Sequence, residues 1–227
     1  MFNIMLFFTR HGDAGNCNVL ELYKIIEQLK PDVIFEEIPP CVFDEEYKHL
    51  IKDKLETNTI KMYLLDHDIK HIPVDLDVIM PQSFWDDNKY LFEQIEIKNS
   101  EFCKLCDDDS KYVRYYGFNY LNSKYCSNIN NDKDKEMEKT LKILNNKKLF
   151  EIFESWNDIN EKRENEMITN IYNYCKNNTF DRGIFFIGAA HRESIINKII
   201  KYNETEEFKI NWNHLEYDNN TVQVIVL

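Results

Sequence analysis

The chain has little of what builds linkers, membrane spans or crosslinked scaffolds. Five glycines and five prolines are spread over 227 residues, too few for a flexible or low-complexity segment. No apolar run approaches the roughly 20 residues that a membrane helix needs. The opening Met1 to Phe8 is apolar but short, and it lacks the basic flank and cleavage site of an export signal, so it is expected to be a first strand. Basic residues are the minority, 28 against 40 acidic ones, giving a formal net charge of −12. Such a surface repels nucleic acid and anionic membrane, and neither is expected as a partner. The six cysteines are scattered, which suggests reduced thiols in a cytoplasmic protein. Cys103 and Cys106 have C-x-x-C spacing, but no second pair follows at zinc-site distance and the pair lies in a helix-like stretch, so a structural role is expected.

What remains is an ordinary globular composition, 43% hydrophobic and 30% charged, of a length that suits one domain over 1–227. Its centre is the stretch Asp181 to Ile200. Ile184 to Ile187 is an unbroken apolar run of the kind that fills a buried parallel strand. It stops at Gly188-Ala189-Ala190-His191, after which Ile195, Ile196, Ile199 and Ile200 recur at helical spacing. Asn3 to Phe8 is built the same way and ends in Thr9-Arg10-His11-Gly12 before a helix over 19–29. Two strands therefore each deliver a histidine at the carboxyl edge, where open α/β sheets bind ligands.

Further along, Asp32 to Glu37 reads as a second strand ending in two acids, and Lys70 to Asp75 as a third closed by Asp75 and Asp77. Helices are expected over 43–55, 59–68 and 147–175, and a last strand over 221–227. Between Pro81 and Asn146 no strand-like alternation occurs. The expected fold is a three-layer α/β domain with a mainly parallel central sheet, helices on both faces and a helical insertion over about 82–146.

The strand pattern brings His11, Glu36 or Glu37, Asp75 and His191 to one edge. Two histidines and a carboxylate around an open position suit a divalent transition metal, which lowers the pKa of a bound water to about 7. Without metal, the same groups suit acid–base chemistry. Arg10, Arg163 and Arg192 would hold a substrate anion or steady an oxyanion, and Asp75 would contact substrate. Beside this stands a plainer reading: strand-end histidines and acids also serve as helix caps, turn residues and salt-bridge partners.

Two resemblances follow from these residues. Thr9-Arg10-His11-Gly12 is similar to the Arg-His-Gly signature of histidine phosphatases, which would make His11 a phosphorylated nucleophile. In that family the next strand ends in a serine and then an arginine, where this chain has Glu36-Glu37-Ile38-Pro39-Pro40. A longer resemblance is to the TraB/Tiki superfamily, with its erythromycin esterase-like and ChaN-like members. It rests on His11-Gly12, Pro31 to Glu37, His71-Ile72-Pro73-Val74-Asp75, Arg163 to Met167 and Gly188 to His191, in that order. It implies a hydrolase that acts on a small-molecule or peptide substrate, assisted by a divalent metal or using a histidine base. His11, Glu37 and His191 would be the metal ligands, with Glu36 as the rival of Glu37, and Arg163 would orient the site. The ChaN-like members imply instead haem binding, with an aromatic wall from Tyr112 to Tyr120. The oligomeric state is left open.

Overall fold

The computed structural model describes residues 2–48, 54–218 and 221–227. Six strands form one sheet: β1 (Asn3–Thr9), β2 (Val33–Glu36), β3 (Lys70–Pro73), β4 (Arg182–Gly188), β5 (Asn211–Asp218) and β6 (Thr221–Val226). Their order is β3-β2-β4-β1-β5-β6, and every neighbouring pair is parallel except β5 and β6. The α/β fold expected from the sequence is therefore present, a mostly parallel sheet with helices around it. The central pair is β1 and β4, in register from Asn3 opposite Arg182 to Thr9 opposite Gly188. Both strands are buried on both faces, which is why each reads as a continuous apolar run and not as an alternation.

The helices follow from apolar periodicity and from caps. Helix α1 (Val19–Leu29) buries Leu22 and Ile26, starts where the Asn18 side chain accepts from the Glu21 N–H at 3.1 Å, and stops at Lys30, whose φ of 46° is left-handed. Helices α2 (Pro40–Lys48) and α3 (Leu55–Tyr63) replace the expected 43–55 and 59–68. The part of the first expectation over 49–53 lies outside the described residues. Strand β5 was not foreseen, because Asn211 to Asp218 is largely polar; its period-two signal is the pair Trp212 and His214, both buried.

Between β3 and β4 the regular elements are all helices: α4 (Gln82–Lys98), α5 (Ser100–Tyr116), α6 (Phe118–Leu121), α7 (Lys124–Leu144) and α8 (Lys147–Asn177). Helices α4, α5, α7 and the first half of α8 share a second apolar cluster that includes Leu91, Ile95, Phe102, Leu141 and Leu149. Helix α8 then continues over the sheet, where Met167, Ile168 and Ile171 join the main core. Helix α9 (Arg192–Thr205) follows β4 after a single 3-10 turn over Ala189–His191.

The helical layer is pinned to the sheet by Asn122, which is fully buried. Its side chain accepts from the Phe8 N–H at 3.0 Å and donates to the Phe8 carbonyl at 2.9 Å, supplying β1 with ladder bonds where it parts from β5 beyond the Leu6–His214 pair. All six cysteines are free, and Cys103 and Cys106 sit on α5. Among the described residues no helix is long and apolar enough to cross a membrane.

Candidate active site

A cavity of about 840 Å³ opens at the carboxyl ends of β1, β2 and β4, between the sheet edge and the helices α4, α5, α7 and α8. Arg10, His11, Glu37, Asp75, Arg163 and His191 all line it. Segments far apart in the chain thus meet at one parallel-sheet edge.

Its floor is a chain of charged groups. Arg163, from α8, donates Nη2–H to Glu37 Oε1 at 2.6 Å and to Asp75 Oδ2 at 2.7 Å, and Nε–H to both Asp75 oxygens at 3.1 Å. The other oxygen of Glu37 accepts from the Gly188 N–H at 2.7 Å. His191 is held from two sides, its Nδ1 2.6 Å from Glu164 Oε1 and its Nε2 3.5 Å from Glu37 Oε1. Glu164 also accepts from Ser194 Oγ at 2.5 Å and faces Lys198 at 3.2 Å.

Burial opposes charge on Glu37, Arg163, Glu164 and His191, but the opposite charges outweigh it. Desolvation lowers the His191 pKa, yet the charge of Glu37 and the hydrogen bond to Glu164 raise it to about 9. Burial likewise opposes ionisation of Glu37, but His191 and Arg163 hold its carboxyl well below the usual carboxylate range. His191 is therefore an imidazolium at neutral pH, with a proton on each ring nitrogen.

His11 stands differently. Its side chain is 61% exposed, and its Nδ1 lies 3.5 Å from Glu56 Oε1 on the first turn of α3. The hydrogen bond to Glu56 raises its pKa above the ordinary 6.5 and outweighs desolvation. Glu56 is fixed in turn by Thr9, whose Oγ1 donates to it at 2.8 Å, and the Leu55 N–H donates to the His11 carbonyl at 3.0 Å. A second space of about 20 Å³, bounded by His11, Glu37 and Glu56 among others, has room for one water molecule. The second oxygen of Glu56 is buried and has no hydrogen-bond partner among the described residues.

Three expected contributors lie elsewhere. Arg192 does not line the cavity: it is buried, its guanidinium 4.6 Å over the Phe8 ring and its Nη2 3.1 Å from Glu216. The expectation of a substrate-binding Arg192 is thus corrected, because the turn of α9 carries it under the sheet edge toward β5. Glu36 points to the other side of β2, where it accepts from Tyr47 at 2.5 Å and meets His71 Nδ1 at 2.8 Å, so Glu37 is the acid at the cavity. Tyr112, Tyr116, Tyr120 and Tyr125 pack on one another and do not line the cavity; its aromatic wall comes from Phe84, Trp85 and Trp156.

The donors do not fit a divalent metal. Among the described residues no group of three or more His, Cys, Asp or Glu is placed to hold one. Glu37 gives one oxygen to Arg163 and the other to a backbone N–H, and Glu164 engages Nδ1 of His191. A guanidinium stands where a cation would, between Glu37, one of the expected ligands, and Asp75.

Glu56 and Glu164 are the contributors that the sequence reading missed. Each interrupts an otherwise buried helical stripe: Glu56 with Thr59, Ile60 and Tyr63, and Glu164 with Ile168, Ile171 and Cys175. A lone acid on the apolar face of a helix is the signal that finds both. No protein-family model matches the chain, and no curated protein or solved structure is significantly similar to it.

Proposed function

We propose that the protein is a hydrolase of the TraB/Tiki type that activates water with a histidine base. The single observation that carries this reading is the placement of two histidines in unlike settings around one cavity. His191 is a doubly protonated imidazolium clamped by Glu37 and Glu164, whereas His11 is exposed and backed by one carboxylate.

In this scheme the Glu56 carboxylate fixes Nδ1–H of His11, leaving Nε2 to take a proton from a water beside it. The hydroxide adds to the carbonyl carbon of an ester or amide. His191 turns its Nε2–H from the 3.5 Å contact with Glu37 to the charge that develops on the substrate and gives this proton to the leaving oxygen or nitrogen. His11 ends with one proton more and His191 with one fewer, and exchange with solvent restores both. Arg163 acts through Glu37, keeping the carboxylate ionised and aimed at His191. No step needs a metal. A phosphohydrolase is less well served, because the strand end at which histidine phosphatases carry a serine and then an arginine carries Glu36-Glu37 here.

A panel of nitrophenyl esters, anilides and phosphates tests the proposal. Ester or amide turnover is expected, reduced at least about 100-fold in His11→Ala and in His191→Gln. Turnover that both variants retain refutes it, and a phosphohistidine trapped at His11 would replace it by the phosphatase reading.

A further inference from the structure

The cations that line the cavity are not equivalent. Lys54 is 3.0 Å from Glu46, Lys133 is 2.8 Å from Asp109, Arg163 bridges Glu37 and Asp75, and His191 is held by Glu164. Arg10 alone lines the cavity without a carboxylate in ion-pair reach among the described residues, and it is only half buried. It immediately precedes His11, so an anion bound there would sit beside the candidate base.

Away from the charged floor the wall is apolar: Ile79, Met80, Phe84, Trp85, Trp156 and Ile159. Phe84 stacks on Trp156 with ring centroids 5.9 Å apart, whereas Ile79 and Trp85 are 67% and 49% exposed at the rim. In a chain that is 30% charged, such an exposed cluster on a cavity rim marks a place for an apolar ligand body.

We infer that the substrate is an acyl compound with two handles: a carboxylate near the scissile carbonyl, held by Arg10, and an apolar chain along the Trp85–Trp156 wall. An N-acyl amino acid with a long acyl group has this chemistry. Cleavage consumes one water and one amide bond and gives the fatty acid and the amino acid, so no other reactant is needed. Guanidinium and carboxylate match as a planar two-point pair, which favours the acid over its neutral amide. The chain contributes at most about fourfold for each methylene that leaves water. The inference rests on the hydrolase reading for the bond that is cut, but not for the binding preference.

Binding is read as quenching of tryptophan emission on the His191→Gln protein, which suppresses turnover, with N-decanoylglycine, N-decanoylglycinamide and N-acetylglycine as probes. N-decanoylglycine is expected to bind at least tenfold more tightly than either of the others. Arg10→Gln should bring acid and amide within about twofold while keeping the chain-length preference, and Trp85→Ala should weaken the chain-length preference while keeping the acid preference. Equal binding of acid and amide, or no effect of chain length, overturns the inference. Glycine release by the native protein is measured separately. The binding preferences without release would refute the hydrolase reading alone, and release from other esters without these preferences would refute the substrate class alone.

Discussion

The protonated state of His191 makes stability and activity depend on pH in a way that a plain surface histidine would not. In the folded chain its pKa is raised to about 9 from 6.5, although burial works in the opposite direction, because Glu37 and Glu164 flank the ring at 3.5 and 2.6 Å. Folded His191 keeps its proton up to about pH 9, whereas the unfolded chain releases it near 6.5. Between those limits the folded state binds more protons, so its stability falls as pH rises. The contribution is complete below about pH 6.5 and is lost on passing through about 9. At 1.36 kcal/mol per pH unit, the gap corresponds to on the order of 3 kcal/mol, and the ring is only 13% exposed, so solvent screening removes little of it. For a chain of this size that is roughly a 10 °C change in melting temperature.

The assay is urea denaturation of the native protein and of His191→Gln at several pH values between 6 and 10, with the His191 ring followed by NMR. Glutamine removes the titrating group, while Glu37 keeps Arg163, and Glu164 keeps Ser194 and Lys198. The native curve should fall between pH 6.5 and 9, and the variant curve should lack that component. Parallel curves, or a ring that titrates below pH 7, would refute the assignment of His191 as an imidazolium. The proposed acid role of His191 would fall with it.

Other outcomes follow from the same geometry. The rate should be bell-shaped in pH, rising through a His11 pKa above 6.5 and falling near 9 as His191 loses its proton; Glu56→Gln should move the rising limb to lower pH and leave the falling limb in place. Arg163→Met leaves Glu37 and Asp75 buried without their shared cation and should cost about 3 kcal/mol by denaturant titration, of which Arg163→Lys recovers only part. Turnover should persist after treatment with a chelator, and loss of activity restored by one added divalent ion would show that the donors around Glu37 rearrange to bind it. Gly117→Ala should cost about 2 kcal/mol, since φ is 56° there and a Cβ would come within 2.4 Å of the Asn16 carbonyl oxygen.

What the sequence disclosed and what it withheld divide along one physical line. Strands β1 and β4 are buried on both faces, so they read as apolar runs, and the polar residue at which each run ends is visible as a break; His11 and His191 were found in this way. In strand β5 asparagines flank Trp212, and Glu216 and Asp218 continue the alternate positions of Trp212 and His214, so its pattern is weak and the fifth parallel strand was missed. The same difference separates Glu37 from Glu36. Glu36 ends β2 and Glu37 follows it, and no local pattern says which face each side chain takes; only the partners do, Tyr47 and His71 on one side and Arg163 on the other. Arg192 shows the converse error: it follows His191 directly, but one step along a helix turns a side chain by about 100°, which takes it from the cavity to the Phe8 ring. Glu164 beside Arg163 is the instructive case, because there adjacent helix positions both reach the site, one at Glu37 and Asp75 and the other at His191. They do so because His191 lies near the first turn of α9, against which α8 packs, while Glu37 lies at the end of the neighbouring strand, so the two side chains diverge onto two different elements. A charge placed on a buried helical stripe costs several kcal/mol unless a counter-charge waits for it. Glu56 and Glu164 both carry that cost, and in both a histidine of the candidate site helps to offset it, joined at Glu164 by Lys198, so searching helical stripes for a stranded acid is a direct route from sequence to such sites.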